Sequence, residues 1–366
     1  MRVASCEKIS QALPSGCLRG AGITRHFIAD NVRAPETYSL FPTPYSLTTM
    51  SHFSPQKPTR DSGSSSNQTL AFLLRRFKEV GISPVHQLGQ NFLIDLNIQR
   101  LLIRRAALDE NDIVLEVGTG TGSMSVQMAP LCRKLITVEL DEKLFALSQE
   151  DLGDLDNIEQ LNVDILKNKN ALNPVVLEAI DKAMADNPGC RLKLAANLPY
   201  AVATPIISNL MRPGALSCGA PYSMTVTIQK EMGDRIIAAP GSKDFCALSL
   251  WIQAQCDVEM TRVIPPSVFW PKPKVYSAIV HMQTNPEKRS AIPDLEFFHQ
   301  YAKALFLHRR KFLRGELIAA YKDRVSKTDV DAIMAQLGLD GTVRAEAIPL
   351  ETHLQLCEAM REAGSF

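Results

Sequence analysis

The stretch Ile113-Val-Leu-Glu-Val-Gly-Thr-Gly-Thr-Gly-Ser123 places a short apolar strand directly before a glycine-rich turn. Glycines at 118, 120 and 122 let the backbone turn tightly and approach a ligand closely, and a segment with helical spacing follows them. A dinucleotide-binding fingerprint needs its third glycine at position 123, where Ser123 stands, so the spacing disfavours a nicotinamide or flavin site. A tight strand-to-helix turn that binds no ligand is the alternative interpretation.

Strand and helix patterns alternate on both sides of this stretch, and strands separated by helix-length segments predict a parallel, doubly wound sheet with both faces covered. From about residue 286 the strands cease, and residues 295–313 and 327–337 have helical spacing. The predicted fold is α/β: a Rossmann-like sheet over residues 69–285, then a small all-helical C-terminal domain over residues 286–366. The predicted strands are residues 113–117, 135–140, 158–163, 192–196, 224–228 and 278–282.

Composition limits the classes of function. The 366 residues include 40 Lys and Arg against 39 Asp and Glu, so the chain is not a globally basic nucleic-acid coat protein. No run of roughly 18 consecutive apolar residues occurs, which argues against a membrane partner. The eight cysteines contain no C-x-x-C pair, so the sequence predicts no metal site and a reducing, cytoplasmic location.

Residues 1–68 differ from the rest of the chain. They are rich in Ser, Thr and Pro and show neither hydrophobic period, which predicts a disordered extension. Glu7, Asp30 and Glu36 dilute the positive charge of an organelle transit peptide, and no compact apolar run favours a secretory signal. Alternatively, the true start is Met50 and the preceding residues are mis-assigned; a native peptide spanning Met50 would exclude this.

Two acidic residues follow later strands. Glu139 ends the second strand, about 20 residues beyond the glycines, where a carboxylate accepts hydrogen bonds from two vicinal ribose hydroxyls. Asp164 ends the third strand, where it could accept from an adenine amino group. Each acid alone is typical of a solvated loop. Together with the glycines, in strand order, they predict one cleft for an adenosine-containing ligand at the carboxyl edge of the sheet.

The segment Asn197-Leu-Pro-Tyr200 after the fourth strand carries the predicted catalytic residues. Methylating the exocyclic nitrogen of adenine is hard because its lone pair is delocalised into the ring. The Asn197 side-chain carbonyl and the Leu198 main-chain carbonyl, aimed at the N–H groups, would stabilise a tetrahedral transition state. Pro199 stiffens the turn, and Tyr200 offers a face for an extruded base, worth roughly 1–3 kcal/mol. The alternative is an ordinary turn with a buried tyrosine.

With these features in order, the sequence resembles the rRNA adenine N6,N6-dimethyltransferases, most closely the bacterial 16S rRNA type. The resemblance runs from about residue 87 to residue 314 and implies an S-adenosylmethionine-dependent methyltransferase sheet. Departures such as Thr119 for a common proline and His308 for a frequent glutamine remove no proposed donor or acceptor. The further matching blocks are Gly89-Gln-Asn-Phe-Leu-Ile-Asp95, Val138-Glu-Leu-Asp141, Gln229-Lys-Glu231, Pro266-Ser-Val-Phe-Trp-Pro-Lys-Pro-Lys-Val275 with Ser277, and Phe306-Leu-His-Arg-Arg-Lys311.

The resemblance implies S-adenosylmethionine as cofactor and two adjacent adenosines in the 3′-terminal hairpin loop of 16S rRNA as substrate, within a nearly mature small ribosomal subunit. It also implies that Phe269 faces the target base opposite Tyr200. The alternative for Phe269 is core packing beside a proline-stiffened loop. The predicted cofactor contacts are Asn91, Leu93, Gly118, Gly120, Glu139, Asp164 and Asn197.

Charge placement predicts where RNA binds. Residues 288–314 contain seven Lys and Arg against two acidic residues, a local basic surface in a nearly neutral chain. Phosphates would bind there in a salt-sensitive manner, while unpaired loop bases carry the sequence information. For any single residue, a solvated helical face is the alternative. The predicted RNA contacts are Lys272, Lys274, Arg309, Arg310, Lys311 and Arg314.

The sequence therefore predicts a monomeric methyltransferase that also acts late in small-subunit biogenesis. A rival within the same class is a 23S rRNA adenine dimethyltransferase of the erythromycin-resistance type, which the Phe-Trp-Pro-Lys-Pro-Lys block and the helical tail make less favoured. A rival from another class is a non-catalytic nucleic-acid-binding protein on the same scaffold. Such a protein would not need to keep Asn-Leu-Pro-Tyr.

Overall fold

A computed structural model describes residues 70–84 and 89–366, which lie within one compact unit. The predicted N-terminal extension lies outside the described residues. The strands are β1 (Phe92–Leu93), β2 (Asp112–Val117), β3 (Lys134–Val138), β4 (Ile158–Leu161), β5 (Leu166–Asn168), β6 (Ala171–Leu172), β7 (Arg191–Asn197), β8 (Ser223–Gln229), β9 (Cys256–Ile264), β10 (Phe269–Trp270) and β11 (Ser277–Thr284). The α-helices are α1 (Leu70–Glu79), α2 (Leu96–Ala106), α3 (Ser123–Met128), α4 (Glu142–Leu152), α5 (Pro174–Asp186), α6 (Tyr200–Leu210), α7 (Lys230–Ile236), α8 (Ala247–Gln253), α9 (Pro286–Ser290), α10 (Leu295–Leu305), α11 (Leu313–Tyr321), α12 (Lys327–Gln336) and α13 (Leu350–Ala363).

Seven strands form the central sheet in the order β4-β3-β2-β7-β8-β11-β9. The first five are parallel, whereas β11 runs antiparallel to both β8 and β9. The expectation of a purely parallel sheet is therefore wrong at β11, whose two pairings are both antiparallel. A parallel pair needs a crossover, usually through a helix. The connection from β9 to β11 contains only a 3-10 turn and the short strand β10, so these two strands pair as antiparallel neighbours.

The central strand β2 is buried on both faces, as expected for a parallel strand between two helical layers. Ile113 and Leu115 face one hydrophobic cluster, which includes α5 and α6, while Val114 faces the other, which includes α2 and α3. The predicted Rossmann-like layering is confirmed. The first cluster continues without a break into α10, α11 and α13, so the C-terminal helices share the core of the sheet.

Two longer segments differ from the sequence prediction, and the short strands β1, β5, β6 and β10 were not predicted either. The edge strand β9 was not predicted, although Val258 and Met260 alternate there with polar residues in the two-residue period of a strand. The single helix expected over residues 295–313 is interrupted, because α10 ends at Leu305 and α11 begins at Leu313. Beyond Thr284 the described residues contain helices and no strand, as expected. No helix in the described part is long and apolar enough to cross a membrane.

Candidate active site

A cavity of about 210 Å³ opens at the carboxyl ends of β2, β3 and β7. After β2 the chain forms β3 and β4 on one side of β2. It then returns and forms β7 and β8 on the other side of β2. The carboxyl ends of the strands at such a reversal are where open α/β sheets bind ligands. All the predicted cofactor and catalytic residues line this cavity: Asn91, Leu93, Gly118, Gly120, Glu139, Asp164, Asn197, Leu198, Pro199 and Tyr200.

The glycine turn lies directly against the Asn-Leu-Pro-Tyr segment. Gly118 and Gly120 have φ of 81° and 58°, in the left-handed region that favours glycine. A Cβ at position 118 would lie 3.4 Å from the ring of Pro199, and one at position 120 would lie 3.4 Å from the ring of Phe92. Glycine is therefore favoured here by its backbone conformation, while an added Cβ would only make ordinary van der Waals contact with the opposite wall.

Glu139 ties the end of β3 to the glycine turn. Its Oε2 accepts a hydrogen bond from the Gly120 N–H at 2.8 Å, and its Oε1 accepts from the Asp141 N–H at 3.0 Å. The side chain is only 7% exposed, and this burial raises its pKa although the two hydrogen bonds oppose the shift. The carboxylate is thus a rigid acceptor with lone pairs that remain available at the cavity.

Asn197 has one end of its amide held and the other free. Its Nδ2 donates to the main-chain carbonyl of Asn91 at 3.0 Å, while its buried Oδ1 has no hydrogen-bond partner among the described residues. A buried acceptor without a partner is costly, so it indicates a ligand donor. The Leu198 N–H donates to the Thr227 carbonyl at 3.1 Å, which fixes the turn that follows.

Tyr200 is the first residue of α6, and its half-buried ring lines the cavity. Its hydroxyl lies 2.7 Å from the Ser277 Oγ on β11, and burial raises the pKa of the phenol. Ser277 belonged to the family-like blocks without a role. The antiparallel strand β11 brings it to the site, so that a buried serine holds the ring in one orientation.

The residues present fit an adenosyl ligand. Glu139 supplies acceptors for ribose hydroxyls, Asp164 lines the same cavity, and the partly exposed Leu140 and Val163 offer apolar contacts for a base. The Thr119 hydroxyl, like the Asn197 oxygen, is buried at the cavity and lacks a partner in the described chain. Neither Leu140 nor Val163 was among the predicted site residues, although both directly adjoin the two acids.

Phe269 is not one of the residues that line this cavity. It is 2% exposed and packs in the hydrophobic cluster of Leu93, Leu102 and Ile279. The pairing of β1 with β10 places Leu93 opposite Phe269 and directs the ring into the core. The ring packs as the core-packing alternative describes, and its role opposite Tyr200 stays a prediction.

The predicted basic surface is smaller than the charge count suggests. Arg309 donates to the Lys243 and Phe245 carbonyls at 2.6 and 3.1 Å, and Arg314 pairs with Asp331. The guanidinium groups of both arginines are therefore engaged by other groups of the protein and are less available to phosphates. Two further residues of the count are also engaged, since Lys288 pairs with Asp257 and Arg289 donates to the Met211 carbonyl.

The remaining predicted RNA contacts are more accessible. Lys272, Lys274 and Arg310 are exposed, and none of them has an ion-pair partner within residues 70–84 and 89–366. Lys311 Nζ lies 3.8 Å from the buried Glu316 carboxylate, a long ion pair. The described residues contain no group of three or more His, Cys, Asp or Glu placed to hold a metal ion.

A model of the ribosomal RNA adenine dimethylase family matches residues 85–361. The chain belongs to this family. It is 32% identical to the ribosomal RNA small subunit methyltransferase A of Ligilactobacillus salivarius, over 78% of this chain and 92% of that protein. It is 35% identical to the protein of the same name from Halothermothrix orenii, over 72% of this chain and 84% of that protein.

Two solved structures share the fold of this dimethylase. A dimethyladenosine transferase from Plasmodium falciparum aligns with a TM-score of 0.59 and 21% identity, over 74% of this chain and 97% of that one. The 23S rRNA methyltransferase ErmE aligns with a TM-score of 0.52 and 20% identity, over 74% and 99%. Family membership confirms the resemblance seen in the motif blocks, and with it the methyltransferase class and S-adenosylmethionine as cofactor.

Glu116 is a buried acid at the dimethylase cavity that sequence analysis did not use. It lies in β2 and is 2% exposed, and Ser125 Oγ donates to its Oε2. Burial raises the pKa of this carboxyl to about 8, and the nearby charge of Glu139 adds to the effect. At neutral pH the Glu116 carboxyl therefore keeps its proton.

Replacing Glu116 by glutamine is expected to reduce the pH dependence of folding stability. Between pH 4.5 and about 8 the unfolded carboxyl is ionised while the buried one is protonated, so the native state binds more protons. Wild-type stability then falls as pH rises, by at most about 1.4 kcal/mol per pH unit. Thermal unfolding across this range should show the Tm of Glu116→Gln rising relative to the Tm of the wild type as pH increases. The exposed Glu142→Gln is the control, and a constant Tm difference would contradict the prediction.

Proposed function

We propose that this dimethylase transfers methyl groups to N6 of two adjacent adenosines in the 3′-terminal hairpin loop of 16S rRNA, giving N6,N6-dimethyladenosine. The observation that carries the proposal is the buried, unpartnered Oδ1 of Asn197 beside the glycine turn and Glu139. The relatives named ribosomal RNA small subunit methyltransferase A support the small subunit as the substrate particle.

In the proposed mechanism Asn197 and Leu198 hold the target amine. The amine donates one N–H to Asn197 Oδ1 and the other to the Leu198 main-chain carbonyl, which favours a tetrahedral nitrogen whose lone pair is free to attack. The bound cofactor supplies a methyl group activated by a sulfonium sulfur. No general base is required at the outset, because the methylated ammonium loses its proton readily to water.

The neighbouring residues orient the two amide groups. The Asn91 carbonyl accepts from the Asn197 Nδ2 and so fixes the amide, whose Oδ1 has no partner in the described chain, and the Thr227 carbonyl accepts from the Leu198 N–H. Tyr200, anchored by Ser277, presents a ring on which the extruded adenine would stack. Gly118, Gly120, Glu139 and Asp164 would hold the adenosyl part of the cofactor, with Asn91 and Leu93 closing the other side.

We assign residues 69–285 to the methyltransferase domain and residues 286–366 to an rRNA-binding helical domain. The proposed partner is the nearly mature small subunit, bound by a monomer that acts late in subunit biogenesis. The proposed location is the reducing cytoplasm, in keeping with the free cysteines of the described chain.

Changing Lys272, Lys274 and Arg310 together to alanine is expected to weaken small-subunit binding by about tenfold or more. Each neutralised phosphate contact adds roughly one unit to the salt dependence of the binding constant, so the slope should flatten as well. Filter binding at several salt concentrations measures both effects. Lys182→Ala, at an exposed lysine on α5, is the control. An unchanged slope in the triple variant would show that these residues do not contact phosphates.

Methyl transfer to four substrates, assayed side by side, tests the proposal: small subunits, large subunits, free 16S rRNA and DNA. We expect labelled methyl groups in small-subunit RNA, at two adjacent adenosines near its 3′ end. A dominant signal in large subunits would favour the 23S rRNA rival. The absence of transfer to every substrate, with RNA binding intact, would favour the non-catalytic rival. The likeness to ErmE does not decide this question, since it shows the fold alone.

A further inference from the structure

The cofactor cavity has two walls that come from separate parts of the chain. One wall is the segment from Asn91 to Leu93, which includes β1, and the other is the glycine turn with the start of α3 at Ser123. In the described residues β1 pairs only with β10, so no backbone ladder joins these walls. Their separation must be set by side chains.

The side chain of Gln99 on α2 bonds to both walls. Its Nε2 donates to the Leu93 carbonyl at 2.6 Å, and its Oε1 accepts from the Ser123 hydroxyl at 3.0 Å. Gln127 strengthens the second link, because its Nε2 donates both to Gln99 Oε1 at 2.6 Å and to the Ser123 carbonyl at 2.8 Å. Gln99 is 2% exposed and lines the cavity itself.

A buried amide with partners at both ends specifies geometry more strictly than an apolar side chain does. The amide is rigid and planar, and its N–H and C=O groups point in different, fixed directions. The Leu93 carbonyl and the Ser123 hydroxyl must therefore keep a defined distance. Removing the amide would leave both groups buried without a partner. An apolar residue of the same size would fill the space but let either wall shift.

We propose that Gln99 is a positioning residue for the cofactor site, which sets the spacing between the Asn91–Leu93 wall and the glycine turn. It acts through Leu93 and Ser123. The inference rests on the cofactor placement in the proposed function. It adds to that placement a residue outside the motif blocks, and it makes cofactor affinity depend on a buried network behind the cavity.

Gln99→Met is expected to raise the dissociation constant for S-adenosylhomocysteine by about tenfold, because the side-chain length is kept while all three hydrogen bonds of the amide are lost. Ser123→Ala should raise it less, and the double variant should bind no more weakly than Gln99→Met, since both changes break the same link. Isothermal titration calorimetry measures the three constants. RNA affinity should stay at the wild-type value.

Leu102→Val is the matched control. Leu102 is buried on the same helix, packs in the core and does not line the cavity. If it lowers Tm as much as Gln99→Met but leaves cofactor affinity unchanged, the positioning role is supported. An unchanged dissociation constant in Gln99→Met, or an equal rise in Leu102→Val, overturns it. If Gln99→Met does not fold, Ser123→Ala decides alone. Failure of the wild type to bind would instead reject the cofactor placement.

Discussion

Replacing Asn197 by alanine is expected to lower the rate of methyl transfer by at least about 100-fold while leaving small-subunit binding close to that of the wild type. The side chain supplies an acceptor that is realised fully only when the amine becomes tetrahedral, so its loss raises the barrier more than it weakens binding. Within the described chain Asn197 Oδ1 accepts no hydrogen bond, so loss of this oxygen breaks no structural contact.

Two assays separate the effect of Asn197→Ala on the rate from its effect on binding. Single-turnover transfer of labelled methyl groups to small subunits gives the rate, and a separate assay measures small-subunit binding. Asn168→Ala is the matched control, because Asn168 lies exposed on the β5 hairpin and its loss should leave both values unchanged. Asn197→Asp should also be slow, since it keeps an oxygen but cannot donate to the Asn91 carbonyl. Near-normal turnover in Asn197→Ala would reject the mechanism.

Replacing Glu139 by alanine is expected to weaken cofactor binding by at least about 100-fold. Hydrogen bonds to a charged acceptor contribute roughly 1.5–3 kcal/mol each, and two ribose hydroxyls are proposed to donate to this carboxylate. The same change removes the acceptor for the Gly120 and Asp141 N–H groups, which holds the glycine turn in place. Both effects are expected to lower the affinity for the cofactor.

Calorimetric titration with S-adenosylhomocysteine measures the loss, with Glu142→Ala as control at the exposed start of α4. The wild type should also lose affinity as pH falls, because protonation removes acceptor capacity from Glu139. Since burial raises the pKa of this carboxyl, the loss should begin at a higher pH than for an ordinary glutamate. A dissociation constant within about threefold of the wild type in Glu139→Ala would contradict the ribose assignment.

The cofactor side of the site was largely predictable from sequence. Glycines that adopt positive φ and acids at strand ends leave a local signature, because the carboxyl ends of parallel strands meet at one edge. The structure accordingly brings Gly118, Glu139, Asp164 and Asn197 to one cavity. Their spacing alone could not show that Asn197 is held by the Asn91 carbonyl, a contact between residues 106 positions apart.

The RNA side was less predictable. Counting charges treats every basic residue as free, yet Arg309 and Arg314 are engaged by distant carbonyl and carboxylate groups. Phe269 shows the same difficulty, because the direction of an aromatic ring in a short strand depends on its pairing with β1.

Sequence by itself determined the family, the layered α/β fold and the cofactor, and it predicted the Asn197–Tyr200 segment that the structure places at the cavity, because these depend on local backbone conformation and on residue types at strand ends. Only the tertiary structure decided the antiparallel edge of the sheet, the inward position of Phe269, the Ser277 anchor of Tyr200 and the Gln99 link between the two walls. Each of these depends on contacts between residues far apart in the chain, and a period or a motif does not show which distant group a residue contacts.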